Sequence, residues 1–406
     1  MKTRAALVAL TASTLLLAAC GTTTSTSSAA KSPIVIGVSV SLSGDFSGDG
    51  KAILQGYQMW VNDVNKQGGL LGRKVQLKVV DDDSTTQQTL TNYTTLIGTD
   101  KVNLVFGPFS SLLTIPAEQI AKRYGYVLLG PAGGAPNVFA EKYKGYAFVQ
   151  PASVVNNLLT FGQMIDALPA AQRPTTVAYA TSNDPFTQPQ LPPLQAELTK
   201  DGVKSVSYQV FPDETPDLTP EALKIVHSGA QVVVLGTTSV PQVQAFVQTF
   251  VQQHYTPKAI IATSGPDQGS QFATAIGAAN TEGFLVPSGW TPTANTYQNG
   301  KFVREYLAKY GGTANAIPGD APEAYSVGQI MAQMVAKTHS INNATLIKAL
   351  HDTTFQTVQG PMKFGPYGAP VGGGTFLVQW QSGATQIVWP TSIQQANFEY
   401  PKPNWK

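Results

Sequence analysis

From Ile34 onward, short β-branched apolar runs alternate with amphipathic stretches, and few architectures accept that pattern. IVIGVSV at 34–40 holds a single polar residue, Ser39, so it reads as a strand covered on both faces. Lys51 to Lys66 then carries Ile53, Tyr57, Trp60, Val61 and Val64 at helical spacing, and Gly68-Gly69 stops it. VQLKVV (75–80), NLVFG (103–107) and YVLLG (126–130) repeat the strand signal with helical segments between them. After Gln150-Pro151 a second series begins: TTVAYA (175–180), VSYQVF (206–211), QVVVLG (231–236) and KAIIAT (258–263). Buried strands separated by helices predict a parallel, doubly wound sheet. Two such series predict two α/β lobes, with ligands held in the cleft outside the strand ends. The chain crosses again near EGFLVP (282–287), and helices are expected around 297–310, 323–338 and 344–352. TFLVQW (375–380) and TQIVWP (385–390) flank QSGA and predict a closing hairpin.

The N-terminus is of another kind. Met1-Lys2-Thr3-Arg4 precedes an apolar run from Ala5 to Ala19, interrupted by Thr11, Ser13 and Thr14, that ends at Leu17-Ala18-Ala19-Cys20. This is a basic segment, a short apolar segment and a small-residue cleavage site, too short for a permanent membrane span. A cysteine directly after Leu-Ala-Ala looks like a lipobox, whose thiol takes a diacylglyceryl group; two acyl chains suffice for stable anchoring. The alternative is an ordinary secretory signal that happens to contain Cys20. Residues 21–32 (GTTTSTSSAAKS) cannot bury apolar surface and read as a tether. The expected segments are a signal peptide over 1–19, then lipidated Cys20 and tether over 20–33. The mature protein would be extracytoplasmic and membrane-anchored, at a cell surface or in a periplasm.

Composition excludes several classes. Cys20 is the only cysteine, so no disulfide framework, thiolate metal site or catalytic thiol is expected. Of 26 Lys and Arg against 24 Asp and Glu, Lys2 and Arg4 lie in the leader, leaving the mature chain neutral. With no basic block interleaved with aromatics, nucleic acid is not an expected partner. The four histidines (His227, His254, His339, His351) are scattered, and no HExxH, G-x-S-x-G or P-loop occurs; neither an enzyme nor a resident cofactor is expected. Asp81-Asp82-Asp83 alternate in direction and cannot converge on one ion, so they read as strand-end capping.

The run SLSGDFSGDGKAILQGYQMWVNDVNKQGGLLGRKVQLKVVDDDS (41–84) resembles the opening of type I solute-binding proteins, specifically the Leu/Ile/Val-binding branch that serves ABC importers. The shared elements are Ser-Gly after a strand, Gly50 and Gly56 at the next helix, Asn-x-x-Gly-Gly, then Asp-Asp. Similarity continues through 106–125 and 128–137 and returns in 236–248, 265–269, 282–286 and 323–331, so it spans 34–406. The resemblance implies two Rossmann-like lobes with parallel sheets joined by a three-strand hinge. Residues 34–150 plus 287–360 would form the N-terminal lobe, and 151–286 plus 361–406 the other. It further implies a monomer that captures a small polar solute, an amino acid or amide-like compound, by hinge closure and presents it to an ABC permease. A ligand-presenting sensor with the same lobes is the alternative.

Candidate ligand contacts follow. Phe109-Ser110-Ser111 sits between a strand and a helix, where a hydroxyl caps the helix and free N–H groups make an anion site. The resemblance assigns the ligand carboxylate to Ser111. Ala132-Gly133-Gly134 stands where relatives usually place a threonine against the ligand amine; here only backbone can reach. Asp267 matches the acid that pairs with a ligand ammonium. Asp49 falls where many members place an aromatic. Phe109, Phe186 and Trp290 are candidate apolar walls, and Thr238 offers a hydroxyl from the second lobe. Ser84 and Ser110 occupy positions that a disulfide joins in some members. Each has a plainer reading as well: a helix cap, a flexible or solvated turn, or packing.

Overall fold

In the computed structural model, residues 32–406 are described. Cys20 and the segments before the tether's end lie outside them. The first half runs β1 (Ile34–Val40), α1 (Ser47–Lys66), β2 (Val75–Asp81), α2 (Thr86–Thr94), β3 (Leu104–Phe106), α3 (Ser111–Tyr124), β4 (Leu128–Gly130) and β5 (Tyr146–Phe148). These strands form one sheet in the order β2-β1-β3-β4-β5, every pair parallel. The central strands are fully buried, as their apolar runs require. β5, only three residues long, was not expected from its sequence.

The second half runs α4 (Leu159–Asp166), β6 (Thr176–Ser182), α5 (Leu191–Lys200), β7 (Lys204–Phe211), α6 (Thr219–Ser228), β8 (Val232–Gly236), α7 (Val240–Gln252), β9 (Ala259–Ala262), α8 (Ser270–Ile276) and β10 (Phe284–Ser288). Then come α9 (Asn299–Tyr310), α10 (Asp320–Thr338), α11 (Asn343–His351), β11 (Phe355–Thr357), β12 (Gly360–Met362), β13 (Phe376–Gln381) and β14 (Ala384–Trp389). The second sheet has the order β14-β13-β10-β9-β8-β6-β7. β7 through β10 are mutually parallel with β6, but β13 pairs antiparallel with both β10 and β14. The second sheet is therefore mixed rather than purely parallel. The closing hairpin is added at an edge, where its tight turn forces one strand to run back.

Each sheet organises its own core. Ile36, Val38 and Phe106 share one buried cluster with Trp290, Phe302, Tyr325, Phe355, Met362 and Phe364. Residues after β10 thus return to the first sheet, and the chain rejoins the second sheet only at β13. α10 lies beside α1, with the Tyr325 hydroxyl donating to the Asp63 carboxylate at 2.6 Å. The second sheet is covered on its two faces by separate clusters around Phe246 and Phe161. Three segments link the lobes: the one at Pro151, the one at Gly289 and the one at Gly373. They lie against one another, since a Cβ on either glycine would run into Pro151. Three adjacent backbone segments crossing between the lobes form the hinge.

Candidate ligand-binding cleft

Strand direction puts the loops after β3, β4, β6, β8 and β9 at facing edges of the two sheets. The cleft between them is lined by residues of both lobes. Eight of the ten expected contacts line it: Phe109, Ser110, Ser111, Gly133, Phe186, Thr238, Asp267 and Trp290.

On one side stands the start of α3. Ser110 Oγ accepts from the Leu113 N–H at 3.1 Å and so caps the helix. Its backbone is held at φ +68°, a region that is costly for a residue with a side chain. Ser111 is 1% exposed, and its Oγ accepts from the Ala135 N–H at 3.1 Å. That bond occupies an acceptor lone pair and leaves the hydroxyl proton available to a ligand. Gly133 closes this corner at φ +103°; a Cβ there would lie 2.5 Å from both Thr114 Oγ1 and the Tyr146 hydroxyl. Gly134 does not line the cleft. A Cβ there would run into Val154 and into Phe148, which stands between it and the cleft.

The other side is acidic. α10 begins with Asp320, and Glu323 follows one turn later; both line the cleft beside Asp267, which reaches in from the loop after β9. The Gly319 N–H donates to the Asp267 carbonyl at 3.0 Å, so the second lobe's loop is already tied to the first lobe's helix. Asp267 Oδ1 accepts from the Gly265 N–H at 2.8 Å. Asp49 does not form part of the wall. α1 starts at Ser47, earlier than the helical spacing predicts, and takes Gly48-Asp49-Gly50 into its first turn. Asp49 is thereby buried behind Asp267 and Asp320, at 3% exposure, with Oδ1 unpartnered.

Burial dominates the acid chemistry of this group. It pushes the Asp49 carboxyl up to about 8, with the neighbouring Asp267 adding repulsion. Burial raises Asp320 and Glu323 well above the ordinary range, again reinforced by the surrounding carboxyls. Asp267 rises for the same first reason, opposed by its backbone hydrogen bonds. Helix N-termini favour ionised carboxyls, but desolvation outweighs that effect here. Among the described residues lining the cleft there is no Lys, Arg or His. Nor are any three described acids, histidines or cysteines arranged to hold a metal ion.

Trp290 is fixed edge-on to Phe302 and donates its ring N–H to Asn299 Oδ1 at 2.7 Å. Thr238 Oγ1 lies 3.3 Å from both Asp213 Oδ1 and Gln242 Oε1, so its hydroxyl is already engaged. Two of the three Asp side chains do cap backbone: Asp81 accepts from the Leu42 and Asp83 N–H groups, and Asp82 from the Ser84 N–H, with the Ser41 hydroxyl donating to it as well.

Sequence reasoning missed Asp184, Asp320 and Glu323. The pair on α10 had a signal, since two acids three apart ahead of a helical run mark a first turn. The spacing alone predicts the start at 323 and hides Asp320. Asp184 had only the turn signal of Asn183-Asp184-Pro185.

Residues 33–385 match the periplasmic binding protein family, and the chain belongs to it. An amino acid binding protein of Pseudomonas aeruginosa is 26% identical over 64% of this chain and 68% of its own length. A Leu/Ile/Val-binding protein homolog of Brucella melitensis is 24% identical over 86% of this chain and 91% of its own. The crystal structure of the leucine binding protein LivK of Thermotoga maritima superposes with a TM-score of 0.74 at 16% identity, covering 87% of this chain and 97% of that one. The fold is the type I periplasmic binding protein fold, and the chain is an extracytoplasmic solute-binding protein rather than an enzyme. Among the described residues no helix is long and apolar enough to cross a membrane.

Proposed function

We propose that the chain captures an amino acid or amide-like solute and delivers it to an ABC permease, tethered to the membrane by a lipid on Cys20. The observation that carries this reading is the polarity of the cleft. Hydroxyl and amide donors at the start of α3 face one end, and Asp267, Asp320 and Glu323 face the other. A zwitterion or an amide matches both ends; a plain aromatic acid matches only the first. The relatives named for amino acids agree with that choice.

Capture needs no covalent step. The solute carboxylate or carbonyl settles on Ser111 Oγ and the free amides of α3, each charge-assisted bond contributing roughly 1.5–3 kcal/mol. Its ammonium or amide donors take the buried carboxyls, which ionise as the positive group arrives. Phe109, Phe186 and Trp290 exclude water from the remainder. Closure about the three linking segments brings the Asp267 loop and Thr238 toward the first lobe, and the closed form is what a permease would read.

A thermal-shift panel of amino acids, amides and aromatic acids tests the reading. A ligand at 100 times its Kd adds about 2.7 kcal/mol of stability. Stabilisation by an amino acid or amide is expected; stabilisation by aromatic acids alone would refute it. Cys20→Ala is expected to move the protein from the membrane fraction to the soluble fraction.

A further inference from the structure

The amino-acid reading leaves one cleft carboxyl without a task. Asp184 follows β6 in the second lobe, lines the same cleft and is 2% exposed. Its Oδ1 accepts from the N–H groups of Phe186 at 2.7 Å and Thr187 at 3.3 Å. Its Oδ2 has no partner. Buried carboxylate oxygens are seldom left so, because an unpaired one costs several kcal/mol. A helix cap or turn does not account for the free oxygen, since Oδ1 alone satisfies the turn.

The sheet order sets how far Asp184 stands from the other acids. β8 lies between β6 and β9, and neighbouring strands are about 4.8 Å apart. The loops carrying Asp184 and Asp267 therefore leave the sheet roughly 10 Å apart. The loop between them, after β8, carries Thr238, and the lining elsewhere includes Phe109, Phe148 and Phe186, with no cationic side chain to neutralise either pole. The cleft thus has two acidic poles on loops two strands apart, an aromatic lining and one uncharged donor corner at Ser111.

We propose, building on the amino-acid reading, that the solute carries two cationic groups: a dibasic amino acid whose α-ammonium meets Asp267 and Asp320 and whose distal ammonium or guanidinium meets Asp184. The span is of the right scale. An extended lysine places its two nitrogens roughly 7 Å apart, from bonds of about 1.5 Å, and a hydrogen bond of about 2.8 Å at each end extends that to about 12 Å between oxygens. The methylene chain then crosses the cleft past Thr238 and the lining aromatics.

Calorimetric titration of the full chain with L-lysine, L-norleucine and 1,5-diaminopentane tests this, since norleucine keeps lysine's α-amino acid head and lacks its second cation. Lysine is expected to bind at least tenfold tighter than norleucine, and Asp184→Asn to cut that ratio at least fivefold. Norleucine binding as tightly as lysine would overturn the second cation while leaving the amino-acid reading in place. Binding of diaminopentane without either amino acid would overturn both. If none of the three binds, the dibasic assignment fails, and a parallel titration with leucine and glutamine decides whether the amino-acid reading fails with it.

Discussion

At the start of α3 the cleft wall is made of hydroxyls and amide N–H groups, whereas at the start of α10, with α1 behind it, the wall is made of carboxyls. Both are helix N-termini, and both carry the partial positive charge that unpaired N–H groups produce. At α3 nothing opposes that charge, and the corner favours an anion. At α10 the acids Asp320 and Glu323, joined by Asp267, reverse it. One fold device, repeated at two points of the first lobe's cleft face, therefore yields opposite preferences, and a solute with both signs of charge is oriented by the difference. The acidic side also carries a cost that the α3 side does not, because its carboxyls are held out of water whether or not a solute is present.

That cost gives the largest expected effect. A carboxyl raised by burial lets the folded protein hold more protons than the unfolded one. Its contribution is most favourable below about pH 4, erodes as pH rises, and levels off near pH 8, the value to which Asp49 is pushed. Asp49→Asn removes the ionisation. It is expected to stabilise the ligand-free protein by on the order of 2–4 kcal/mol more at pH 8 than at pH 5, measured by urea unfolding at each pH. An equal gain at both would mean that Asp49 is solvated.

Next in size is Asp267→Asn, which is expected to weaken an ammonium-bearing ligand by about 10- to 100-fold and a neutral amide by less, since losing a charged partner costs about 1.5–3 kcal/mol. Equal losses for the two would break the contrast between the walls. Ser111→Ala should cost an amino acid at least about tenfold in affinity, while a solute lacking the carboxylate or carbonyl loses little; calorimetry on matched ligands separates these. The smallest effect is expected at Thr238. Its hydroxyl is already held between Asp213 and Gln242, so Thr238→Val should change affinity by less than about threefold. A larger loss would move the second lobe's contribution from Asp267 to Thr238.

The two walls also differ in how far they could be read in advance. The α3 corner is contiguous, with Phe109, Ser110 and Ser111 on a strand-to-helix turn, and local chemistry suffices to find it. The acidic wall is assembled from residues 267, 320 and 323, with Asp49 buried behind it, on three separate elements. Nothing in one sequence pairs them, because each acid is locally an ordinary first-turn or loop residue. Gly48 and Gly50 make Asp49 read as a turn, and packing of α1 against α10 is what draws it into a helix. β1, β3 and β4 of the first sheet were legible because burial on both faces leaves an apolar run, whereas β5 was not. The direction of β13 was not, since the same run fits either orientation and only the edge position settles it.

The most direct test is a crystal structure of the chain with its tightest-binding amino acid. The solute carboxylate is expected within hydrogen-bond distance of Ser111 Oγ and the first amides of α3, with the α-ammonium against Asp267 and Asp320. A solute lying the other way round, or one that leaves the three carboxyls of that wall untouched, would contradict the account.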